Sequence, residues 1–205
     1  HDEVFFPPSS PLRGGKERSS TFQWTEILDR LRRTHIDQGE WGTWGVRGRI
    51  GTLLEWVGLP ARMPRKQDFR FNFAVSGAEC EDLMQGPWRQ VPRLLAVMDE
   101  EPQRWRHGAV LIRIGINTLG KRADLDSFAK QGATPQTKAQ VEDCVRWIRQ
   151  AVRAIRERHP QAHVVLVGLA TNVDWPAYLE HWQSASEVDN IDQVLDLYDN
   201  SLREM

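Results

Sequence analysis

Apolar residues along this chain repeat with two different periods, and the alternation between them lays out the elements. "WTEILDRLRRT" places Trp24, Ile27, Leu28 and Leu31 at helical spacing and predicts a short amphipathic helix. "DFRFNFAV", residues 68–75, alternates like a strand. A second helix follows, with Val91, Leu94, Leu95 and Met98 on one face. "AVLIRIGI", from Ala109, is a near-continuous apolar run, the pattern of a strand covered on both faces. Val141, Val145, Ile148, Val152 and Ile155 then mark a long helix that ends near His159-Pro160. "AHVVLVGLA" is the third predicted strand. The last helix carries Ile191, Val194, Leu195, Tyr198 and Leu202 on one side.

Between these elements lie three stretches without a clear period. Residues 1–23 are rich in Pro, Ser and Gly and read as an irregular lead-in. Residues 39–68 hold too many Gly and Pro for a regular element and read as one long loop, a common place for binding surfaces. Residues 118–136 read as a further loop.

Strand and helix in alternation predict an α/β class, with a parallel sheet and right-handed crossovers in a single domain over residues 1–205. Ligands of such sheets bind beyond the carboxyl ends of the strands. That rule selects the loops after Val75, Ile114 and Val167. At the first, "VSGAE", Gly77 would leave the strand with its backbone N–H free to face a ligand, beside the positive end of a helix. This suits a developing oxyanion, and a tight turn is the simpler alternative. At the second, "RIGINTLG", Asn117 offers a carboxamide N–H from a rigid platform, or braces its own turn. At the third, Thr171, Asn172, Asp174 and His181 carry polar groups; Asp174 reads as a cap before Trp175-Pro176, and His181 as a residue of a helix surface.

Composition narrows the classes. A formal net charge of −1 gives no electrostatic reason for a nucleic-acid or anionic-membrane partner. No run approaches the roughly 18 to 20 apolar residues of a membrane span. Cys80 and Cys144 stand in no metal-ligand spacing and read as two buried thiols or one disulfide. No phosphate loop, dinucleotide fingerprint or His/Cys ligand pair is present, so neither a cofactor nor a metal is expected.

"NFAVSGA", residues 72–78, resembles the second block of the SGNH, or GDSL-type, esterases and lipases. "GINT", residues 115–118, resembles their third block, Gly-x-Asn-Asp, with Thr118 in place of the Asp. "FQWTEILDRL" is similar to the aromatic-rich helix after their first block. The resemblance covers roughly residues 20–205 in element order. It implies a three-layer α/β/α, flavodoxin-like fold, incomplete here at both ends. It also implies cofactor-free hydrolysis of a lipid, an acylated carbohydrate or a small ester through a Ser-His-Asp triad. Gly77 and Asn117 match the family's oxyanion-hole positions.

The first block, Gly-Asp-Ser, and the last, Asp-x-x-His, occur nowhere in the chain. The resemblance therefore places the triad outside this sequence, in a trimmed enzyme, or else marks a member that has lost catalysis. Two other readings stand beside it. Ser76 in "AVSGA" could be the nucleophile of a strand-to-helix elbow. Alternatively the nine Trp residues, with Trp41 and Trp44 in "EWGTWG", could serve a non-catalytic carbohydrate- or partner-binding domain.

Overall fold

A computed structural model describes residues 22, 24–44, 50, 53–54, 57, 66–75, 77–169 and 180–205. Ser76, Thr171, Asn172 and Asp174 lie outside the described residues. The chain divides into two compact units, residues 1–77 and 78–205. The architecture is mixed α/β, with one antiparallel and one parallel strand pair among the described residues.

The first unit contains α1 (Trp24–Arg32), β1 (Trp41–Trp44) and β2 (Lys66–Phe69). β1 lies inside the stretch predicted to be one loop, and β2 pairs with it antiparallel, Trp41 opposite Phe69 and Trp44 opposite Lys66. Sequence placed the strand at residues 68–75 in a parallel sheet. Instead it stops at Phe69, whose N–H is taken by the Asp68 carboxylate and whose carbonyl accepts from the Asn72 N–H at 3.1 Å, closing a turn. Asp68 is buried and accepts from the Phe69 N–H and the Asn72 side chain, both at 2.8 Å, and Asn72 in turn accepts from the Ala74 N–H at 3.0 Å. Side-chain bonds of this kind compete with a ladder and favour turns.

α1 forms where its period predicts, but its faces are reversed. Trp24, Ile27 and Leu31 are exposed, whereas Thr25 and Glu26 are buried. Periodicity tells which residues share a face; it does not tell which face finds a partner.

The second unit holds a short 3₁₀ helix (Cys80–Leu83), α2 (Gln90–Glu100), β3 (Ala109–Ile112), α3 (Ile116–Leu119), α4 (Arg122–Gln131), α5 (Pro135–Arg158), β4 (His163–Leu166) and α6 (Ala185–Arg203). α3 and α4 replace the predicted loop at 118–136. α4 escapes a periodic reading because only Leu125, Phe128 and Ala129 of its ten residues are buried. β3 and β4 are parallel and in register from Ala109–His163 to Ile112–Leu166.

α5 is the scaffold of this unit. Thr134 caps its start by accepting from the Thr137 N–H at 3.2 Å, Pro135 occupies the first turn, and Arg156 and Arg158 complement its carboxyl end. Val141, Val145, Ile148 and Ile155 are buried along one side, each stabilising by roughly 1.5–3 kcal/mol. α6 starts with a reciprocal capping box between Ser184 and Glu187.

The strands differ from expectation in length, ending at Ile112 and Leu166 short of the predicted apolar runs, and in how they are covered. Val110 and Ile112 are buried, but Leu111 and Val165 are 49% and 44% exposed. One face of the pair is thus uncovered, which accounts for a run that is apolar at every position without being buried at every position.

Two polar groups tie α6 to the carboxyl ends of the strands. The buried Tyr198 hydroxyl donates to the Ile114 carbonyl at 2.8 Å, and Asp199 accepts from the Leu169 N–H at 2.9 Å. Burial, reinforced by Asp199, holds the Tyr198 hydroxyl protonated well above the ordinary phenol range. Tyr198→Phe keeps the ring but leaves a buried carbonyl unpaired. Equilibrium denaturation should show a loss of about 1–3 kcal/mol.

His159, which ends α5, is buried and lies 3.0 Å from Asp99 of α2. Burial, with Arg158 beside it, pushes the imidazole below its ordinary value of 6.5. Asp99 is itself ion-paired to Arg158. The unfolded chain therefore takes up a proton first as pH falls, and stability is lost below about pH 6.5. Thermal unfolding between pH 8 and 5 should show this loss, with the slope reduced in His159→Gln.

Candidate functional site

The two candidate residues lie in differently built surroundings. Gly77, the last residue of the first unit, is exposed and has φ +81°, a left-handed conformation that glycine adopts without strain. The sequence placed it at the exit of a strand and beside a helix N-terminus. In the structure β2 ends at Phe69, and the helix after Gly77 is the four-residue 3₁₀ turn, with Glu81 and Asp82 in its first turn. A helix dipole therefore contributes nothing appreciable here. What remains is the backbone amide on a left-handed turn.

Asn117 sits in α3, one short step beyond the carboxyl end of β3. Gly115 makes that step. Its φ is +111°, and a Cβ there would come within 3.0 Å of the Tyr198 hydroxyl and 3.4 Å of Leu169. Only glycine lets the chain turn so close to α6.

The Asn117 side-chain nitrogen donates to the Ala78 carbonyl at 3.0 Å, across 39 residues of sequence. Its neighbour Thr118 accepts from the Cys80 N–H through Oγ1 at 2.9 Å. The segment resembling the third block is thus bonded once to Ala78, the last residue of the segment resembling the second, and once to Cys80 just beyond it. A carboxamide nitrogen has two hydrogens, and Ala78 takes one of them.

The 78–83 turn is held in other ways as well. Cys80 and Cys144 form a disulfide, which settles the alternatives the sequence left open. Glu79 caps the 3₁₀ turn reciprocally with Asp82, and Lys121 bridges to Glu79 at 2.6 Å. The Glu79 carboxylate holds the Lys121 ammonium above the ordinary lysine range. Burial raises the Asp82 carboxyl, against the lowering effect of the Glu79 N–H.

At the third loop only His181 is described. It is exposed in a turn rather than on a helix, 2.8 Å from Arg122 and edge-on to Trp182. Trp182 is buried and its indole donates to Asp126 at 3.2 Å, so this cluster anchors the segment before α6 to α4.

Sequence reasoning missed Gln140, whose side chain donates to the Thr118 carbonyl at 2.9 Å. The available signal was its spacing, one helical turn before Cys144. Among the described residues no group of three or more His, Cys, Asp or Glu side chains could hold a metal, and no helix is long and apolar enough to cross a membrane.

The first unit contains a separate cleft of ≈ 440 Å³, lined by Glu26, Asp29, Arg30 and Glu40 and by the rings of Trp41 and Phe69, among others. The two rings meet edge to face at 5.1 Å.

No protein-family model, curated protein or solved structure matches this chain.

Proposed function

We propose that this chain supplies the oxyanion-stabilising part of an SGNH-type serine esterase. The observation that carries the proposal is the Asn117–Ala78 bond at 3.0 Å. It joins the turn that follows Gly77 to a carboxamide placed beyond the end of β3, where α/β sheets bind ligands.

In this reading an activated serine, carried with its Asp and His on further sequence of the protein, attacks the acyl carbonyl of an ester. Negative charge then develops on the carbonyl oxygen. The Gly77 N–H, the second Asn117 amide hydrogen and the serine's own N–H donate to it. Such donors act without reorganising, which makes them worth far more than in water. The reaction needs no cofactor. A lipid, an acylated carbohydrate and a small ester all present the same acyl group. The proposal also completes the fold as a three-layer α/β/α sandwich, with the face bearing Leu111 and Val165 covered.

The test is ester hydrolysis and covalent labelling by a fluorophosphonate in the complete protein, with Asn117→Ala as the diagnostic variant. Hydrolysis without labelling, or labelling without dependence on Asn117, counts against it.

A second reading rests on the first-unit cleft. The exposed Trp41 ring, backed by the buried Phe69 and flanked by carboxylates and a guanidinium, is the kind of surface on which proteins stack and hydrogen-bond saccharides. A protein that binds a glycan through Trp41 yet cleaves no ester belongs to this class instead.

A further inference from the structure

Asn117 and Thr118 are held by bonds from outside their own short helix, and these bonds close into a frame. α5 contributes Gln140 and Cys144, one turn apart on the same side. Gln140 donates to the Thr118 carbonyl at 2.9 Å, and Cys144 is joined to Cys80. Cys80 in turn donates its N–H to Thr118 Oγ1 at 2.9 Å, and Asn117 donates to Ala78 at 3.0 Å. α5 therefore grips both segments, and the segments grip each other.

We propose that Thr118 and Gln140 are positioning residues, which set the orientation of the Asn117 carboxamide by locking it to the 78–80 turn and to α5. This rests on the esterase reading for its catalytic consequence, but not for the frame itself. Thr118 is also where the chain departs from the Gly-x-Asn-Asp pattern it resembles. An aspartate could accept from the Cys80 N–H as well, but it would add charge to a turn that already carries Glu79, Glu81 and Asp82. A hydroxyl accepts the same bond and stays neutral.

The residues differ in what they can be asked. Thr118→Val keeps the shape and removes the acceptor, whereas Thr118→Ser keeps the acceptor. Gln140→Met removes the donor on α5 without touching the Thr118 side chain. In the complete protein, amide exchange at Cys80 should speed up about tenfold in Thr118→Val, the effect of one lost hydrogen bond of ordinary strength. Ester kcat should fall about tenfold in Thr118→Val and in Gln140→Met, with KM unchanged, and Thr118→Ser should restore it. Because Thr118 acts through Asn117, Thr118→Val should cost almost nothing further in an Asn117→Ala background.

Unchanged Cys80 exchange in Thr118→Val overturns the frame. Faster exchange with unchanged kcat, or full additivity with Asn117→Ala, overturns the positioning role and leaves the esterase reading intact. A wild-type protein with no esterase activity removes that reading and the catalytic role with it, while the exchange measurement still decides the frame.

Discussion

Asn117→Ala in the complete enzyme should lower ester turnover about 10²- to 10³-fold, with little change in KM, because the lost donor acts on charge that exists only in the transition state. The variant has a second effect to separate from the first. It also removes the bond to the Ala78 carbonyl, an ordinary hydrogen bond worth about 1 kcal/mol of stability. A stability loss of that size cannot explain a rate loss of 10² or more in a protein that remains folded. Denaturation and steady-state kinetics on the same sample therefore distinguish the two effects. Asn117→Asp sharpens the test by retaining size while replacing a donor with a carboxylate beside the developing oxyanion, and it should be no faster than the alanine variant. Unchanged kcat in Asn117→Ala would sink the oxyanion assignment.

The second large effect lies in the Cys80–Cys144 disulfide, which spans 64 residues of sequence. Loop-closure entropy alone gives about 4 kcal/mol for a loop of that length. Both cysteines are only 1% exposed, so the bond is a structural staple under the 78–83 turn and not an accessible redox switch. The Cys80→Ala/Cys144→Ala double variant avoids leaving a buried hydroxyl. Urea denaturation should show it about 2–5 kcal/mol less stable than the oxidised protein. Reduction during unfolding should lower the midpoint of the wild type and leave the variant unaffected. Coincident unfolding curves for wild type and variant would rule out the pairing.

Particular elements show how far the chain could be read in advance. α2, α5 and α6 were legible because their signals are local: apolar residues at helical spacing, and Pro160 just beyond the end of α5. The β-branched runs of β3 and β4 were legible for the same reason. Asn117 could be singled out because it follows a strand end and a glycine. The Gly77 argument was weaker, since it borrowed a strand and a helix that end or begin elsewhere.

β1 was hidden in a glycine-rich stretch, because its pairing with β2 is made across the 21 residues between Trp44 and Lys66 and not within either segment. α4 was hidden by its polarity. Neither the uncovered face of the β3–β4 pair nor the exposed side of α1 could be inferred from spacing.

By itself, then, the sequence determined which residues could form helices and strands and which of them share a face, because backbone propensity and side-chain period act over a few residues. It also placed a glycine and a carboxamide just past the end of β3. Only the tertiary structure decided that Asn117 holds Ala78, that Thr118 receives Cys80, that Gln140 and Cys144 of α5 anchor them, and which faces are covered. Those contacts are made between groups far apart in the chain, and their energy depends on a distance of about 3 Å that no local pattern encodes.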